Sequence, residues 1–421
     1  VYLGRDGRER RLLRTEASYY HPIDILDDKA EPGAHEKLPP LPLMGAPKPG
    51  EHIAGVNAAR FGFAVASHTL LMQEGERHIR LLLKLRHNAR YSIESSLREL
   101  AEQLSKKYPH HTEHASSLRL SDVFIKLMRS MFRVSITTET GWFVIPEYRP
   151  EYSGLNPDLP ENCLALYLHL PSATPAITAY NSVVHGEEFQ TKAPILQFEM
   201  TRNEYAYPYD VLTHWLLEEI ELEVEVKACR QLVLHNQIGQ LSALAPFSPF
   251  GPLPDLSSYL LVGCEEVLGK QLRDASVDIE WAGLPSNLGG FTEYYRGYQE
   301  PLKADAIKVK LSVLVDGKWS KPHNATQLFE FEAKEDGSPS VQVRSENKIS
   351  FAPLMSLYKP THPSLLPKDG ARFIYNSSTM NGMFKLSLDE PVGAFGHQEY
   401  PQLLTRVLTQ NAQKKKIGLM T

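Results

Sequence analysis

The sequence predicts an α+β chain rich in β-structure: a mixed α+β region, then an antiparallel β-sandwich-like domain, with extended Pro-rich arms. Three observations carry this. Apolar and acidic residues alternate without a fault over the eight positions from Glu219 to Val226, the period of a strand with one face in a core. Helical spacing is confined to two segments between Ile93 and Met131. Proline is frequent, 30 of 421 residues or about 7% against a usual ~5%, which favours loops and straps over long helices.

Residues 1–50 are polar and rich in proline and charge. Leu38-Pro39-Pro40-Leu41-Pro42 cannot be helical, because each proline lacks a donor and restricts its predecessor. The segment reads as a linker or as an extended arm on a neighbouring subunit. Gly62–Ser67 and Ile79–Leu85 are apolar runs on either side of the turn signal Glu74-Gly75-Glu76, so a β-hairpin is expected. Ile79, Leu81, Leu83 and Leu85 share one face. Ile93, Leu97, Leu100, Ala101 and Leu104 recur at helical spacing, and Pro109 ends that helix. Ser121 is the expected N-cap of a second helix carrying Val123, Phe124, Leu127, Met128 and Met131. Phe132–Thr137 and Trp142–Ile145 read as a hairpin around Thr140-Gly141, with further strands at Leu164–Leu170 and Ile195–Met200. Glu219, Glu221, Glu223 and Glu225 crowd one face of their strand. That face is either solvated or met by a basic partner.

Pro246–Pro254 holds four prolines and a glycine in nine residues, so its backbone is irregular and the domain boundary is placed there. Phe247 and Phe250 should anchor this strap to a surface. Beyond it, strands are expected at Tyr259–Val262, Ser276–Trp281, Ile307–Val315, Gln327–Ala333, Val341–Arg344, Lys348–Phe351, Phe373–Tyr375 and Met383–Leu388, with a hairpin turn at Asp316-Gly317. The expected division is 1–50 arm or linker, 51–245 α+β region, 246–256 strap, 257–395 sandwich-like domain and 396–421 the start of a following segment. Without an initiator Met or a finishing element, the chain reads as part of a longer polypeptide.

Chemistry is sparse in the sequence. The net charge of −5 offers no positive excess for a phosphate backbone, so no nucleic-acid partner is expected. No apolar run reaches 18 residues, so no membrane span is expected. Cys163, Cys229 and Cys264 are too few and too scattered for a disulfide framework or a cysteine zinc site. No phosphate-binding glycine loop, nucleophile elbow or HExxH motif occurs. His110 and His114 would share a helical face and could hold zinc, but their polar, proline-flanked surroundings read as a solvated loop. Glu265-Glu266 and Asp278/Glu280 read as surface charge rather than an acid/base pair. No catalytic residue, cofactor or metal ligand is therefore assigned. The candidate interface residues are Phe247, Pro249, Phe250, Gly251, Trp281, Tyr294 and Tyr295.

Several segments, in order, resemble one family. They are Gly62–Ser67 running into Leu70-Leu71-Met72-Gln73-Glu74-Gly75-Glu76-Arg77-His78-Ile79; Glu223–Lys227 and Leu232–Leu241; Pro246–Pro252 and Tyr259–Gly263; Ile279–Pro285 with Phe291–Tyr298; and Gly396-His397 with Tyr400–Leu404. The set is similar to the large wedge proteins, including the baseplate J-like one, of extracellular contractile injection systems. These are phage-tail-like particles such as the antifeeding prophage and Photorhabdus virulence cassettes. His235 departs from the pattern, standing where glutamine is expected. The resemblance implies a non-enzymatic baseplate subunit. Its implied partners are other wedge subunits, a spike hub, and sheath-initiating and tube proteins, in six-fold symmetry. It also implies assembly in the bacterial cytoplasm into a particle that is released or membrane-anchored. The competing expectation is a β-sandwich glycan-binding or glycoside-hydrolase module, which would need an aromatic groove or two facing carboxylates.

Overall fold

The structure is a computed structural model. It describes residues 2–3, 9–15, 41–42, 61–86, 92–107, 119–129, 131–186, 189–201, 211–212, 214–252, 254–282, 284, 307–333, 339–362, 366 and 373–390. The fold is β-rich with antiparallel sheets and few helices, as the sequence predicts. The chain divides into two compact units, Val1–Cys229 and Arg230–Thr421.

The first unit contains strands β1 (Tyr2–Leu3), β2 (Glu9–Thr15), β3 (Leu41–Pro42), β4 (Gly62–Ala66), β5 (Glu76–Leu85), β6 (Phe132–Thr138), β7 (Gly141–Ile145), β8 (Tyr148–Tyr152), β9 (Cys163–Leu170), β10 (Ile195–Met200) and β11 (Leu216–Lys227). Helices α1 (Ile93–Lys107), α2 (Leu120–Met128) and the one-turn α3 (Ser182–His185) interrupt them. The strands form two sheets, ordered β1-β2-β4-β10-β6-β7 and β3-β11-β5-β9-β8. Alternation sends the apolar half of each central strand inward. Phe63, Val65, Leu81, Leu166, Phe198 and Leu222 therefore share one core with Leu97 of α1 and Phe124 of α2. Phe63 stacks on its cross-strand partner Phe198 at 4.7 Å and meets Phe132 edge-on at 5.7 Å. Ser92 caps α1 by accepting from Ser95 N at 3.1 Å. The Tyr148 hydroxyl donates to the carbonyl of Met128 at the end of α2 and accepts from Phe132 N. Burial pushes that phenol up to about 12.

Two expectations change here. β4 and β5 are not a hairpin: β4 lies between β2 and β10, while β5 lies between β11 and β9. A 3₁₀ turn, His68–Leu70, capped by Ser67, carries the chain from one sheet to the other. Periodicity identifies each strand but does not choose its partner. The second helix starts at Leu120 after Arg119, so Ser121 sits inside its first turn. The described residues of the expected N-terminal arm are strands that extend these sheets, β2 pairing with β4 and β3 with β11.

The second unit contains β12 (Leu232–Asn236), β13 (Gly239–Leu241), β14 (Tyr259–Cys264), β15 (Ser276–Glu280), β16 (Lys308–Val315), β17 (Lys318–Trp319), β18 (His323–Gln327), β19 (Phe331–Ala333), β20 (Pro339–Val343), β21 (Glu346–Ser350) and β22 (Met383–Glu390), with a short helix α4 (Glu265–Leu268). One sheet runs β13-β12-β14-β22-β16-β17, with β18 also on β16; β15–β21 and β19–β20 are two-stranded ribbons. Val262, Leu311, Val313 and Leu386 of the large sheet share a core with Ile349, Phe351 and Tyr358, and Val277 and Ile279 pack against it. The sandwich-like expectation thus takes the form of one large sheet whose core is shared with a small ribbon. Asp316 (φ 50°) and Gly317 (φ 74°) make the expected hairpin turn.

The two compact units part between Cys229 and Arg230, ahead of the strap. β12 pairs with β14 from Leu232↔Cys264 to Asn236↔Leu260, so residues 246–256 form a connection inside the second unit. Prolines mark irregular backbone, and a tied-down loop satisfies that as well as a linker does. The expected strand at 327–333 is split between β18 and β19, and residues 373–375 are not a strand.

Candidate functional site

The strap is built from the β12–β13 hairpin upward. The hairpin turn places Asn236 and Gln237 beside Pro246–Gly251. Asn236 Nδ2 donates to the carbonyls of Ser248 (3.3 Å) and Pro249 (3.5 Å), while its Oδ1 accepts from Ile238 N and Gly239 N. Gln237 Nε2 donates to Phe250 O at 2.5 Å and to Ser258 Oγ at 3.2 Å, and its Oε1 accepts from Tyr259 N. Two neighbouring amides therefore satisfy main-chain carbonyls that the prolines leave without a ladder. Gly251 closes a turn onto Ser248 O with φ +75°, and a Cβ there would press on the Gln237 amide.

The two strap phenylalanines have different fates. Phe250 is buried in the core of the second unit, whereas Phe247 is 38% exposed. The expectation that both rings anchor the strap holds only for Phe250. Ile238, Leu244 and Leu256 are exposed in the same stretch of chain. Trp281 packs against Phe329 at a ring separation of 4.6 Å. Tyr294 and Tyr295 lie outside the described residues, as do His110 and His114. Asp278 and Glu280 are exposed, as surface charges should be. Glu266 is instead buried and ion-paired with Lys270 at 3.1 Å. Cys163 is buried, and Cys229 and Cys264 are partly buried.

The glutamate-rich face of β11 finds its basic partners within its own unit. β5 lies beside β11 in register, with Glu223 opposite Arg80 and Glu219 opposite Lys84. Arg80 Nη1 bonds Glu223 Oε2 at 2.7 Å, Lys84 approaches Glu219 at 3.5 Å, and Lys227 pairs with Glu225 at 3.2 Å. Burial opposes the charge on Arg80, yet the hydrogen bond and charge of Glu223, with Tyr167, raise its pKa overall. Arg149 lies 4.7 Å from the Tyr167 ring centre, continuing the row across β9 to β8. At one end of this face Glu76, His78 and His169 come together, the one group among the described residues with spacing suited to a metal ion. The sequence could not show this trio, because Glu76 and His169 stand 93 residues apart.

On the opposite face of β5, Arg77 is fully buried. Its Nη1 donates to Pro175 O (3.0 Å) and Met72 O (3.3 Å), and its Nη2 to Thr174 O (2.6 Å) and Pro171 O (3.4 Å). No helix among the described residues is long and apolar enough to cross a membrane. The sequence matches no model of a known protein family. No curated protein matches it either.

Proposed function

We propose that the chain is a structural subunit of the baseplate wedge in a phage-tail-like contractile injection system, set around a central spike hub below sheath and tube. The hairpin and strap of the second unit carry this reading. Leu232–Leu241, Pro246–Pro252 and Tyr259–Gly263, three of the segments that resemble the family, join into one hydrogen-bonded body. That body leaves Ile238, Leu244, Phe247 and Leu256 exposed. A loop already fixed by side-chain amides loses little entropy when a neighbour docks on it. Apolar side chains held out by such a loop suit a contact between subunits, where their burial stabilises the assembly. Wedge neighbours, the hub, and sheath-initiating and tube proteins are the partners in this reading, with six-fold symmetry and no cofactor or enzymatic step.

The test is to express the surrounding gene cluster with this gene intact, deleted, or carrying Leu244→Asp with Phe247→Asp. Sheathed particles are then counted and averaged by electron microscopy. Six-fold particles that contain the chain, and their loss on deletion and in the double variant, support the reading. Normal sheathed particles without the gene would overturn it, as would glycan hydrolysis by the purified chain.

A further inference from the structure

We propose that Glu76, His78 and His169 form a binding site for a divalent transition-metal ion, with zinc the best-suited occupant. This is independent of the assembly role. His78 and His169 are direct cross-strand partners on β5 and β9, and Glu76 precedes His78 by two residues on the same face. Glu76 Oε1 lies 3.2 Å from His78 Nε2 and 3.0 Å from His169 Nε2. Tetrahedral zinc with bonds of about 2.0–2.1 Å holds its ligand atoms roughly 3.3–3.4 Å apart. Two of the three edges are therefore already near the spacing that an ion imposes. The two rings stack with centroids 4.8 Å apart, and all the donor atoms lie within 4.8 Å of one another. The side chains are partly exposed and so have room to rotate toward closing the third edge.

The surroundings favour a site. β5 is paired on both sides, by β11 and β9, so the strand carrying two of the donors is held in place. Lys227, the cation opposite Glu76, is drawn to Glu225. The His78, Glu76 and His169 side chains are 36%, 43% and 52% exposed, so an ion can enter and keep an open position for water or for a donor from another molecule. Two imidazoles and one carboxylate select zinc, copper, nickel or cobalt over magnesium and calcium, which prefer all-oxygen shells. Bound metal would staple β5 to β9 beyond their main-chain ladder.

The experiment uses the 421-residue chain without a polyhistidine tag, stripped with chelator. Zn²⁺ is titrated by calorimetry and Co²⁺ by visible absorption. The expected result is one ion per chain, with ligand-field bands of low-coordinate Co²⁺. Outer-shell partners of metal sites are worth roughly 10–100-fold in affinity, so losing a direct ligand should weaken binding by at least about tenfold. His78→Ala and His169→Ala should each show that loss, while His110→Ala with His114→Ala leaves binding unchanged. These side chains are partly exposed, so metal-free melting temperatures should match the parent. His78→Gln and His169→Gln replace any alanine variant that does not fold. Failure to bind Zn²⁺, binding indifferent to His78 and His169, or binding lost in the His110/His114 variant would each overturn the proposal.

Discussion

Arg77 occupies a position where the strand period calls for an apolar residue, with Ile79, Leu81 and Leu83 following on the same buried face. The resembling segment contains this arginine, and the structure shows what it does there. Its guanidinium gathers carbonyls from Met72 and from the turn between Pro171 and Pro175. Leaving a buried acceptor unpaired costs about 1–3 kcal/mol. Arg77→Met removes the charge along with the donors and leaves those carbonyls unpaired, so it should lower stability by at least about 1–3 kcal/mol, read as a shift of the denaturant midpoint. His235 is a milder case. Its ring meets Tyr375 at 5.3 Å, and its Nε2 is buried without a partner among the described residues. Burial holds its pKa below the usual 6.5. The folded state thus favours the neutral ring, so this contribution to stability is present above pH 6.5 and declines as pH falls through 6.5 toward the folded-state pKa. His235→Gln, the residue expected from the resemblance, should flatten the pH dependence of the melting temperature below about 6.5. An unchanged slope would assign it to other groups.

Elements are more legible in the sequence than their pairings. Apolar runs, alternation and helical spacing identify β6, β7, β9, β10, β11, β14, β16 and β22 and both longer helices, because these signals are written in neighbouring residues. The partner of a strand is not written locally: the turn signal joins β5 to β4, yet β5 lies between β11 and β9. The same gap hides the ion pairs. Four glutamates on β11 are visible in the sequence, but Arg80 and Lys84 become their neighbours only through the register of β5. β12 and β13 are short enough to pass as loop beside the proline run. The strap separates its two rings by burial. Phe250→Ala should cost about 3–5 kcal/mol as a core truncation. Phe247→Ala should stay within about 0.5 kcal/mol, as for exposed positions. Equal losses in chemical denaturation would show that both rings belong to the core.

At the scale of the whole molecule, the division between Cys229 and Arg230 makes a prediction about dissection. A chain beginning at Arg230 keeps β12 and β13 in the large sheet and should show native-like far-UV circular dichroism and one cooperative transition. A chain beginning at Ser257 loses the Asn236 and Gln237 amides and a flanking pair of strands, exposing an edge of β14. It should aggregate or melt without cooperativity. Equal behaviour of the two fragments would place the boundary back at the strap.

The order in which that sheet can assemble follows from its connections. The β12–β13 hairpin, the strap and β14 contact one another over a short stretch of chain, so their closure is entropically cheap and can come early. The other neighbour of β14 is β22, whose Ser387 pairs with Tyr259 from far along the sequence. Until β22 arrives, Leu260, Leu261 and Val262 sit on a strand with one open edge. During synthesis that edge must wait while the intervening β15–β21 region emerges from the ribosome. The distance along the chain from β14 to β22 therefore sets how long this edge is exposed to pairing with the wrong strand.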